Sequence, residues 1–111
     1  MMMEDILKRI ESLLKDHKFL SDSQKIELAD LLLELKQELK GLSEEHLDDA
    51  HSIANFVQAI THESLRQTQR PQLIKLSLQG LSSSVREFEL THPGLVSVVN
   101  NFCLALSGMG I

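Results

Sequence analysis

Apolar residues recur at separations of three and four along almost the whole chain, and no segment alternates apolar with polar long enough to make a strand. The pattern predicts an all-α protein. A first helix covers about Met3 to Asp16, with Met3, Ile6, Leu7, Ile10, Leu13 and Leu14 on one side. A second begins after Ser21 and Gln24, whose spacing is that of a capping box tying up the free amides of a first turn. Along it Leu28, Leu32, Leu35, Leu39 and Leu42 form a coiled-coil-like seam, and Ile26, Ala29 and Leu33 form another strip about a third of a turn away. A helix with two apolar strips needs two partners. Gly41 is placed to end it, and Ser43 to cap the next helix.

The third helix is expected from about Glu44 to Gln67, burying Leu47, Ala50, Ile53, Ala54, Val57 and Ile60. Pro71 interrupts the period, so "RQTQRPQ" reads as a loop or kink. A fourth helix carries Ile74, Leu78, Leu81, Val85 and Phe88, weakened in its middle by Gly80 and three serines. Thr91 as a cap, followed by His92 and Pro93, starts the last helix. There Leu95, Val98, Val99, Phe102 and Leu106 make a stripe that Val96 and Cys103 widen, while Leu104 falls among the polar Ser97, Asn100, Asn101 and Ser107. Either Leu104 is a solitary exposed leucine, or a second subunit covers that side. The whole predicts one domain over residues 1–111, a compact bundle of four or five helices. The first two form an antiparallel hairpin and the last two pack across it.

Composition narrows the function classes. No Trp and no Tyr leave the core to Leu, Ile and Val and remove the stacking platforms that single-stranded nucleic-acid binders use. The net charge is −5, and 13 of the 16 acidic residues precede position 51, which opposes direct binding to nucleic acid or anionic lipid. One cysteine excludes an intrachain disulfide and fits a reducing compartment. The segment "MMMEDILKRIESLL" does not read as a secretion signal, and no apolar run reaches membrane-spanning length, so the expectation is a cytoplasmic protein.

The ending "FELTHPGLVSVVNNFCLALSGMGI", with Phe88, Glu89, His92, Pro93, Gly110 and Ile111, resembles the ending of a small bacterial family called domain of unknown function 4404. The likeness continues into "ILKRIESLL" and "IELADLLLELKQEL", covering about the first 40 and last 25 residues, while the middle around Ala50 to Gln79 looks longer than that family would have. The resemblance implies a short all-helical bacterial protein. It supplies no catalytic residues.

Candidate chemistry is sparse. Glu44, Asp48, His51, Asn55 and His62 share one face of the third helix, a possible carboxylate and imidazole line for a divalent metal. A line along one helix does not converge on a point, and a solvated face explains it better. His46 and His51 do not form HExxH, and Cys103, at the edge of the apolar arc of the last helix, reads as a buried inert thiol. A His beside a helix start, as in "THPG", can help bind an anion, though a good turn is the simpler account. The tail "SGMGI" reads as a helix stop with Met109 and Ile111 folding back as a plug, or as a peptide end presented to another protein.

The expectation is therefore a non-enzymatic oligomerisation or protein-interaction module with no cofactor, associating with itself or a protein partner through Leu28, Leu32, Leu35, Leu39, Phe102 and Leu104. One alternative is a metal- or small-ligand-binding protein using Glu44, Asp48, His51 and His62. The other is a regulator that binds a nucleic-acid enzyme or transcription component through the acidic first half.

Overall fold

A computed structural model of the chain describes residues 2–18 and 20–107. It contains five α-helices: α1 (Met3–Lys15), α2 (Asp22–Lys40), α3 (Leu47–Ser64), α4 (Pro71–Val85) and α5 (Pro93–Ser107). Short 3-10 turns, Glu44–His46 and Arg86–Phe88, precede α3 and follow α4, and no strand occurs among the described residues. The all-α bundle predicted from periodicity is the fold.

Local chemistry sets most of the helix ends. At the start of α2 the Ser21 hydroxyl accepts from the Gln24 amide (3.1 Å) and the Gln24 side-chain oxygen accepts from the Ser21 amide (2.9 Å). Gly41 ends α2 with its amide on the Gln37 and Glu38 carbonyls and its backbone still right-handed, at φ −76°. Pro71 neither kinks nor breaks a helix; it occupies the first position of α4, where its missing N–H costs nothing. Arg70 before it is extended, as a residue preceding proline must be. The third helix is shorter than the sequence suggested. Its first residues are taken by the 3-10 turn, and it stops at Ser64 because the following loop is held from outside: the Gln69 side chain donates to the Ser64 carbonyl (3.0 Å) and His17 Nε2 donates to that of Leu65 (2.9 Å).

α1 and α2 form the expected antiparallel hairpin, with Lys40 at the end of α2 paired to Glu4 at the start of α1 (3.0 Å). Around the bundle α2 lies between α1 and α5, α1 packs on α3, α3 on α4, and α4 touches α5. The last two helices thus do not both lie across the hairpin: α5 covers α2, whereas α4 is carried mainly by α3. The buried faces of all five meet in one core containing Leu28, Leu35, Ile53, Phe88, Leu95 and Phe102.

The α3–α4 contact depends on a glycine. A β-carbon at Gly80 would stand 2.3 Å from Cε1 of Phe56 and under 3 Å from two further ring atoms, so the ring lies directly on the α4 backbone. The glycine that weakens α4 as a helix is therefore what lets it dock. Two buried polar side chains sit near the end of α3. The Thr61 hydroxyl donates to the Val57 carbonyl (2.7 Å), while Ser64 Oγ is buried with no partner. At α5 the carbonyl of His92 accepts from Leu95 and Val96, so His92, not Thr91, is the residue that opens the helix. The Thr91 hydroxyl instead pairs with His92 Nδ1 (3.0 Å). The predicted reversal at Gly108 to Ile111 lies outside the described residues.

Candidate functional site

The leucines singled out from the sequence as a contact surface are mostly interior. Leu28, Leu32, Leu35, Leu39 and Phe102 are all buried, and only Leu104, at 69% exposure, faces outward. The correction has a simple cause. The seam of α2 is its most regular apolar strip, and the chain's own α1 and α5 use it. What remains outward is the other strip, where Ile26 is 62% and Leu33 55% exposed, with the exposed Ala29 between them.

This strip forms one wall of a groove between α1 and α2. Ala29 and Leu32 line its length, Leu33 and Lys36 one end and Ile26 and Lys25 the other. Across it stand Glu4, Lys8, Glu11 and Lys15 of α1. The Lys40 ammonium, hydrogen-bonded to Glu4, holds that carboxyl below the usual carboxylate range, with Lys36 adding to the effect. Continued along the helix, the strip reads Asp22, Ile26, Ala29, Leu33, Lys36, at separations of four, three, four and three. It is a single line: acidic at one end, apolar in the middle, basic at the other. On the opposite side of α2, Leu104 and Leu31 line a second, more polar groove with Glu27, Asp30 and Asn101.

A separate polar cluster gathers around the 3-10 turns. His46, Asp49 and Glu87 each offer a ligand atom within 4.8 Å of the others, and the His46 Nδ1 to Asp49 Oδ2 distance is 3.1 Å. His46 and Asp49 are half-buried and Glu87 exposed. Phe88 fixes this corner: its buried ring meets His46 edge-on at 5.1 Å and His92 at 5.5 Å, locking the turn before α3 to the turn after α4. These three residues, and not the predicted four, are the set among the described residues with metal-like spacing. Asp48 and His62 are separated by about 21 Å of helix rise, Glu44 belongs to the 3-10 turn, and His62 lines a groove beside α1. The pair His46 and Asp49 was visible as an i, i+3 spacing. Glu87 was not, since the fold brings it there from the far side of α4.

The "THPG" junction already holds an anion from the chain itself. A β-carbon at Gly94 would lie 2.7 Å from Oε1 of Glu38, so the α2 carboxylate rests against the first turn of α5, where the helix dipole favours negative charge. Cys103 is half-buried, and desolvation pushes its thiol above the ordinary value, which lowers its nucleophilicity at neutral pH.

The fold and these surfaces define a small all-α bundle with a partly uncovered central hairpin. The model of the family described as Domain of unknown function (DUF4404) matches residues 28–111, and the chain belongs to that family. The matched residues span α2 from Leu28 onward and α3, α4 and α5, whereas α1 precedes them. Neither the curated proteins nor the solved structures compared with the chain yielded a match. No helix among the described residues is long and apolar enough to cross a membrane.

Proposed function

We propose that this protein is a non-enzymatic interaction module whose recognition surface is the outer face of α2. The observation that carries this reading is the exposed line of Ile26, Ala29 and Leu33 on a helix already packed on its other sides by α1 and α5. Isolated exposed leucines, such as Leu90 and Leu76, need no explanation. Three apolar residues in helical register beside a groove form the kind of surface that an amphipathic helix covers. Leu33→Glu tests it, because the residue is outside the core and the fold should survive. The altered protein should keep its circular dichroism spectrum and lose the associations, with itself or with co-purifying proteins, that the unaltered protein shows in sedimentation velocity and pull-down. An unchanged association pattern in the folded variant would sink the reading.

A second reading, cation binding, draws support from the His46, Asp49 and Glu87 cluster in place of the α3 face expected from the sequence. One imidazole and two carboxylates suit a divalent first-row metal, with water completing the coordination. Titration calorimetry with Zn²⁺ should then show one site, weakened at least about 10-fold by Glu87→Gln. Binding that survives Glu87→Gln and His46→Gln but is lost with His51→Ala would assign the metal elsewhere.

A further inference from the structure

We infer that the occupant of the outer α2 face is a second copy of this chain, docked antiparallel about a two-fold axis passing close to Ala29. The inference rests on the reading of that face as an interaction surface and adds the identity and orientation of the partner.

The pattern on the strip is self-complementary under one operation only. In an isologous contact residue i meets residue j and j meets i. Turning the line Asp22, Ile26, Ala29, Leu33, Lys36 end for end sets Asp22 beside Lys36, Ile26 beside Leu33 and Ala29 beside Ala29. Opposite charges then close both ends of a short apolar contact. A parallel copy would instead set Asp22 on Asp22 and Lys36 on Lys36, with like charges closing both ends. At the centre Ala29 is the smallest residue of the line, and small residues at a crossing let two helix backbones approach closely. The bulkier Ile26 and Leu33 flank it and can interlock. All three are exposed in the single chain, so no rearrangement of the core is needed to bring them together.

Chemistry at the groove is consistent with the same geometry. Ala29 faces the α1–α2 groove along its length, so a residue projecting past it from a second copy has apolar wall on one side and the alternating Glu4, Lys8, Glu11 and Lys15 on the other. This is a contact of few residues. It calls for a reversible dimer, with affinity sensitive to each member of the line.

The register is tested by charge exchange and by cross-linking in the intact chain. Sedimentation equilibrium should give a monomer–dimer system whose association constant falls at least about 100-fold in Leu33→Glu, since the two-fold doubles every change. Asp22→Lys alone should weaken it about 10-fold, and Lys36→Asp alone similarly. The double exchange Asp22→Lys with Lys36→Asp should restore association to within about 3-fold of the unaltered protein, because the reversed line is again self-complementary. With Cys103→Ala as background, Ile26→Cys mixed with Leu33→Cys should yield a disulfide-linked pair of the two different chains. A self-linked Ile26→Cys pair in place of the mixed one would overturn the antiparallel register. A monomer at all concentrations up to the millimolar range would overturn the second copy as occupant. The broader interaction reading would then stand or fall separately, on whether Leu33→Glu abolishes recovery of a different protein.

Discussion

The docking of α4 onto α3 through Gly80 and Phe56 leads to a quantitative prediction with a sign opposite to helix propensity. In an exposed helix interior, replacing glycine with alanine stabilises by about 1 kcal/mol, because it removes backbone freedom from the unfolded chain. At Gly80 the added carbon would lie 2.3, 2.8 and 2.9 Å from three atoms of the Phe56 ring. Carbon atoms in favourable contact stand about 3.5–4.0 Å apart, so the ring or the helix must move by about 1 Å. Such overpacking costs roughly 1–3 kcal/mol. Gly80→Ala should therefore be neutral to destabilising by about 2 kcal/mol, with a central expectation of about 1 kcal/mol lost.

A double-mutant cycle isolates the cause. In a Phe56→Ala background the obstruction is gone, and the same Gly80→Ala change should stabilise by about 1 kcal/mol, a coupling of about 2 kcal/mol between the sites. The chain has no Trp and no Tyr, so intrinsic fluorescence is a poor probe and urea unfolding should be followed by far-ultraviolet circular dichroism. The quantity to compare is the midpoint at constant m-value. If Gly80→Ala stabilises both backgrounds equally, Phe56 does not rest on the α4 backbone and the reasoning is refuted. The position of α4 would then be open, and with it that of Glu87, which lies in the 3-10 turn directly after the helix.

Two further outcomes concern buried polar groups. Ser64→Ala should raise stability by about 1 kcal/mol in the same urea assay, because it removes a buried hydroxyl without a partner and adds helix propensity; a loss of that size would mean the hydroxyl is satisfied. Burial raises the Cys103 thiol above its ordinary 9.0, so the unfolded chain gives up this proton at lower pH than the folded one. The stability it contributes is thus complete below about pH 9 and is lost as pH rises through the folded value. The gap in urea midpoint between the unaltered protein and Cys103→Ala should narrow or reverse from pH 7.5 to 10.5, and a constant gap would contradict the burial.

Most helix starts were legible because they are local events, whereas the stop of α3 is held by His17, 48 positions before the Leu65 carbonyl it binds. The Ser21–Gln24 box and the proline start of α5 act within one turn of the residues that name them, whereas Pro71, read as part of a loop or kink, opens α4. The pairing of helices was less so. Nothing local tells α4 to lie on α3 and leave the hairpin to α5, since that choice comes from a gap at Gly80 filled by a ring 24 positions earlier. Distance in sequence also hid the polar cluster: His46 and Asp49 are neighbours on one turn, but Glu87 comes from the turn after α4, whose Phe88 ring packs edge-on against that of His46.

The exchange of roles between the two strips of α2 shows what periodicity can and cannot decide. A helical period counts apolar stripes and gives the angle between them; it carries no information on which stripe meets the chain's own helices. The seam of Leu28, Leu32, Leu35 and Leu39 is the longer and more uniform, and greater apolar length offers more area to the bundle, so it goes inside. The shorter strip is bounded by Asp22 and Lys36, charges that cannot be buried in a monomer core without partners, and that keeps it outside. Charged ends thus exclude the strip from the core, and in the proposed dimer they would also select a surface with charges in the reverse order. Had Asp22 and Lys36 been leucines, α2 would present an apolar face along most of its length, and indiscriminate aggregation would replace a defined contact.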